Sequence, residues 1–149
     1  MTMKSKQEII NKFLELDERL KKLDELFDTF ESLTDNDFDY EKKSNGKADD
    51  KLSNHEAALE FKKFLDVVDK LEKVVECEVS PLNIKKIKTD IYEFLQKRKN
   101  NQYMLSYEVY LFLDFCCGMG MEILCDEKES FIDEYEKLDE EIKKYKNNN

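Results

Sequence analysis

Apolar residues recur in steps of three and four at Ile9, Phe13, Leu16, Leu20, Leu23, Phe27 and Phe30. The same rhythm returns at Ala57, Phe61, Phe64, Val68, Leu71 and Val75, at Ile84, Ile87, Ile91 and Phe94, and at Phe131, Tyr135, Leu138, Ile142 and Tyr145. Such stepping puts one greasy stripe on each of several long helices, which must bury their stripes against one another. Ile10, Leu14, Leu26 and Leu33 widen the first stripe beyond a two-stranded coiled-coil seam, so a bundle face is the better reading.

The boundaries follow from caps and breakers. The first helix is predicted from about Ser5 to Leu33, roughly 40 Å long. Periodicity stops from Thr34 to about Leu52, where Asp35-Asn36-Asp37-Phe38-Asp39-Tyr40-Glu41 leads into Lys42-Lys43-Ser44-Asn45-Gly46-Lys47; this predicts a long exposed acidic loop over 34–52. Loops of that length are uncommon in compact domains and often functional. Ser53-Asn54-His55-Glu56 has the form of a capping box and opens a second helix running to about Glu78. Ser80 as N-cap with Pro81 at the first helical position opens a third. Lys85, Lys86, Lys88, Lys97, Arg98 and Lys99 make that helix basic, and it is expected to face acidic neighbours such as Asp17, Glu18, Asp24 and Glu25. Asn100-Asn101-Gln102 ends it.

Tyr103 to Cys125 is the most apolar stretch. Its run Tyr107-Glu108-Val109-Tyr110-Leu111-Phe112-Leu113 has the aromatic and branched content of a strand, but a lone strand has no sheet to join, so a central helix touched on most sides is expected. From there either one helix continues from about Ser106 to Lys146, or it breaks near Asp126, which with Glu129 forms another capping-box pattern. Residues 147–149 are expected to fray. The predicted fold is all-α: an antiparallel bundle of four or five long amphipathic helices around a central apolar helix, forming a single domain over 1–149.

With 149 residues, 40% apolar and 40% charged, only 3 Gly and 1 Pro, the composition suits long helices. A net charge of −10 disfavours attraction to nucleic acid or an anionic bilayer and favours a basic partner. No stretch reaches the ~18 uncharged apolar residues of a membrane span, and the first eight residues lack the apolar run of a signal peptide. Four cysteines at 77, 116, 117 and 125 show no disulfide-scaffold spacing. A cytoplasmic protein with free thiols is expected.

Candidate chemistry is sparse. Asp35, Asp37 and Asp39 imitate the opening of a calcium loop, but Tyr40 stands where a glycine is needed and Gly46 where the bidentate glutamate is needed. His55-Glu56-Ala57-Ala58-Leu59 lacks the second histidine of a zinc helix. Cys116-Cys117-Gly118-Met119-Gly120-Met121 with Cys125 concentrates sulfur, yet on a helix Cys117 and Met121 share one face and Cys116 and Met119 another, so core filling is the simpler role. No nucleophile has a matched base and no glycine-rich phosphate loop exists. Neither an enzyme, a metal site nor a cofactor is expected.

What remains is a non-catalytic acidic module, of the inhibitor or immunity-protein kind in size and charge, that occupies a basic site on a partner protein through Asp35, Asp37, Asp39, Tyr40 and Glu41. A structural subunit self-associating through its heptad seams is the alternative, since inter- and intramolecular bundles use the same heptads. A nucleic-acid role for the basic third helix, with Tyr92 for stacking, is the less favoured third.

Overall fold

A computed structural model describes residues 5–147 of the protein. It is mainly all-α, with one small sheet among the described residues. The long helices are α1 (Lys6–Ser32), α3 (Asn54–Val74), α4 (Ser80–Lys97) and α5 (Ser106–Asn147); a π-helical turn (Leu33–Asp37) and the short α2 (Tyr40–Ser44) follow α1. Residues 1–4, read above for a leader, and 148–149, read as a tail, lie outside the described residues, while Asn147 is the last helical residue.

The caps act much as the sequence predicts. The Ser5 hydroxyl accepts from the Glu8 amide, and Ser53 and Glu56 bond reciprocally at 3.1 and 3.2 Å. These bonds satisfy orphan first-turn amides. Of the two alternatives for the last helix, the unbroken one holds, because α5 passes through Asp126 without interruption. The run Tyr107–Leu113 is helical, as expected.

Four expectations change. The segment 34–52 is not a long loop. Helix α1 ends in a π turn whose Phe38 amide donates to the Leu33 carbonyl at 2.7 Å, and the wider turn swings Phe38 into the core. Asp39 then caps α2, accepting from the amides of Glu41 and Lys42, and left-handed Asn45 ends it. The last residues of the segment belong to strand β1 (Lys51–Ser53), which pairs antiparallel with β2 (Tyr103–Leu105), Leu52 opposite Met104. Both central residues are buried, and Lys51 lies over the Tyr103 ring on the outer face, 4.2 Å from its centroid.

Helix α3 stops at Val74 rather than Glu78, with Val75 extended. Ser80 is the first helical residue of α4, and its hydroxyl turns inward rather than capping. The lysines of α4 do not find the acids of α1. Lys88 pairs with Glu72 of α3, whereas Asp24 pairs with Lys128 and Asp17 accepts from the Tyr135 hydroxyl, both on α5.

Helix α5 packs along α1 and touches α2, α3, α4 and the π turn. The main core gathers Phe30, Phe38, Phe61, Phe64, Leu71, Ile87, Leu113 and Leu124 with their neighbours, and Phe94 stacks on Phe112 with centroids 4.3 Å apart. A second core, built on Ile9, Leu16, Phe131 and Leu138, joins the first half of α1 to the last half of α5. The two glycines of α5 differ. A Cβ on Gly120 would lie 2.8 Å from the Phe30 ring, so any side chain there would force the buried ring to shift. A Cβ on Gly118 would meet nothing within 4 Å, so the roughly 1 kcal/mol cost of a helical glycine relative to alanine has no return inside this chain.

Candidate functional site

Two groups of carboxylates stand out, one buried and one open. The buried group centres on Glu127. Its side chain has no solvent exposure, yet it lies in a polar run that gives no hint of burial. The early end of α3 explains how. Extended Val75 turns the amides of Glu76 and Cys77 toward α5, where they donate to Glu127 at 3.1 and 3.0 Å. The Ser80 hydroxyl donates at 2.7 Å, and Arg19 of α1 donates from Nη2 at 2.8 Å while its Nη1 pairs with Glu76 at 3.2 Å. The guanidinium also lies over Phe131, 5.7 Å from the ring centroid.

Burial alone pushes the Glu127 carboxyl pKa up, but the bonds from Ser80, Cys77 and Glu76 outweigh it, so the net shift is downward and the group is ionised at neutral pH. One side chain thus ties α1, the α3–α4 connection, the start of α4 and α5 together, between the two cores. The cleft beside it is lined by Lys12, Lys22 and Lys73 but equally by Glu15, Glu18 and Glu134. Its charges answer each other.

The open group is the acidic corner that the sequence singles out. The π turn carries Asp35, exposed, and Asp37, half-buried; Asp39 is half-buried as the cap of α2, and Glu41 is exposed one residue on. Tyr40 is half-buried with its ring against the main core, so it anchors the corner. Lys42 reaches back to the backbone carbonyl of Asp35 at 2.9 Å rather than to a carboxylate. Among the described residues no ion pair engages Asp35, Asp37, Asp39 or Glu41.

The corner extends beyond the run read from sequence. Tyr110 has its pKa pushed up to about 12, first by burial and then by the charges of Glu60, Asp50, Glu56 and Asp37. Acids from the π turn, the approach to β1 and the first turns of α3 therefore all act on Tyr110. Asp50 also accepts from the Ser106 hydroxyl, and its carbonyl accepts from the Ser106 amide at 2.9 Å. Scattered along the chain, these residues leave no sequence signal, because only the fold brings them to bear on Tyr110.

The thiols take different positions. Cys116 and Cys117 are buried, Cys77 is half-buried and Cys125 is exposed. Burial, with neighbouring carboxylates, pushes Cys116 and Cys117 up to about 12; burial also raises Cys77, although the Ser130 side chain acts to lower it. Those three are protonated at neutral pH and poorly nucleophilic. Among the described residues no group of three or more His, Cys, Asp or Glu could hold a metal, and no helix is long and apolar enough to cross a membrane. His55 sits exposed in the first turn of α3. Comparison of the chain with protein-family models, with curated proteins and with solved structures finds no match.

Proposed function

We propose that the protein is a non-catalytic, acidic protein-binding module whose scaffold is an antiparallel bundle with α5 as its central element. Its acidic corner occupies a basic site on a partner protein in the cytoplasm. The observation that carries this reading is the set of carboxylates at Asp35, Asp37 and Glu41, which meet no cation within the described chain although Lys42 and Lys43 lie beside them in sequence. Charges of one sign held on a fixed backbone steer an oppositely charged partner and set its register. Here the backbone is fixed by the Asp39 cap, the buried Phe38 and the half-buried Tyr40. That Cys116 and Cys117 are buried and protonated, and that the single histidine is exposed, supports a binding role over a reaction.

The test is affinity capture from the organism of origin with the natural chain and with the triple variant Asp35→Asn, Asp37→Asn, Asp39→Asn. Asparagine caps a helix as well as aspartate does, so the variant removes charge and keeps α2. A partner that is held by the natural chain, released by raised salt and missed by the variant is the expected result. Equal capture by both removes the corner from the account.

A further inference from the structure

We infer that the open face of α5 at Leu111, Phe115 and Gly118, with the acidic edge of α1 beside it, is a groove that receives one amphipathic helix of a partner, its apolar side bordered by Lys or Arg. This inference rests on the protein-binding reading above and gives it a ligand class.

Leu111 and Phe115 are 51% and 62% exposed, large apolar side chains one helical turn apart, and Gly118 continues the same face. Gly118 serves no packing within the chain, unlike Gly120. A missing side chain beside two apolar anchors lets another helix axis come close, which is how helix-in-groove recognition seats its anchors.

Charge decides the occupant. From Tyr103 to Glu127 there is no Lys, Arg or His, while Glu108, Asp114 and Glu122 punctuate the run. Asp24, Asp28 and Glu31 of α1 and Asp35 of the π turn fall on successive turns of one exposed edge, of which, among the described residues, Asp24 alone is ion-paired, with Lys128. The Asp24–Lys128 pair and the close approach of Gly120 to the Phe30 ring run that stretch of α1 alongside the segment of α5 that carries Gly118. The opposite flank is less one-sided, because Lys86 of α4 shares a depression with Glu122 and Asp126. A second copy of this chain would bring two acidic edges together, so the groove suits a helix with cations on its α1-facing side.

The probes are three synthetic peptides followed by fluorescence anisotropy: a helix with leucines at i, i+3, i+4 and i+7 bordered by lysines, the same helix with glutamates for lysines, and a scramble of the lysine peptide. The lysine helix is expected to bind at least ~10-fold more tightly than the other two, and Phe115→Ser and Gly118→Gln are each expected to weaken it about 10-fold. Gly118→Gln should melt no lower than the natural chain, because glutamine is the better helix former, so lost binding cannot be lost folding. Indifference to the peptide's charge or pattern overturns the inference. So does unchanged binding in both variants, or a dimer in the absence of peptide that Phe115→Ser dissolves. If those variants bind normally while neutralising Asp35, Asp37 and Asp39 abolishes binding, the groove fails and the acidic corner stands; if neither set matters, both fall.

Discussion

Glu127 and the carboxylates of Asp35, Asp37 and Glu41 are the same chemical group put to opposite use. Glu127 is stripped of water and surrounded by two backbone amides, a hydroxyl and a guanidinium. The corner acids are exposed or half-buried and, among the described residues, form no ion pair. A buried charge persists only when its lost hydration is replaced bond for bond, so Glu127 is committed to the fold. An exposed cluster of like charge contributes little to stability and repels itself, so the corner is available to something outside. The difference lies in what the backbone supplies. Where α3 stops early, two free amides are presented to a carboxylate; where α1 ends in its π turn, the carboxylates point outward.

The sharpest way to break this contrast is to remove the buried group. Glu127→Ala leaves Arg19 and the amides of Glu76 and Cys77 without their acceptor in a closed site, and should destabilise the protein by about 3–5 kcal/mol, read as a lower midpoint in urea. A loss below ~1 kcal/mol would mean that the knot is incidental. The pH dependence sharpens the same point. Because folding lowers the Glu127 pKa below its ordinary 4.5, the stabilisation is complete above that value and drains away as pH falls through the lower folded value. The stability gap between the natural chain and Glu127→Gln is therefore wide at pH 7 and narrows on acidification, as urea titrations across that range would show.

The glycines carry the contrast onto one helix at smaller magnitude. Gly120→Ala sets a methyl against Phe30 and should cost about 1–3 kcal/mol. Gly118→Ala enters open space and should add roughly 0.5–1 kcal/mol; thermal melts of the two would move in opposite directions. Smallest of all is the corner. Neutralising Asp35, Asp37 and Asp39 together should leave the unfolding free energy within about 0.5 kcal/mol of the natural chain.

Much of the scaffold could be read from residue order because helical periodicity and caps are local. The seam of α1 and the capping box at Ser53 follow from neighbours within a turn or two, whereas the sequence leaves the continuity of α5 past Asp126 open, because the capping-box pattern at Asp126 and Glu129 competes there with the helical period. What stayed hidden depends on contacts between distant residues. Strands β1 and β2 are three residues each and lie about a third of the chain apart, too short to show alternation. Glu127 looks like part of a solvated run, because nothing near it in sequence reveals that the amides of Glu76 and Cys77 will meet it. Ser80 carries the signature of a cap, yet the larger gain lies in bonding a buried carboxylate. The corner was legible as a run of acids, but its reach to Asp50, Glu56 and Glu60 was not, since only the fold assembles it around Tyr110.

The separation between a charge that folds the chain and charges that face a partner is tested most directly by measuring urea unfolding and partner capture side by side on two proteins, Glu127→Gln and the triple asparagine variant of Asp35, Asp37 and Asp39. The account predicts that the first loses stability but, per folded molecule, still holds the partner, while the second keeps its stability and lets the partner go. The reverse assignment, or both properties falling together in both proteins, would contradict it.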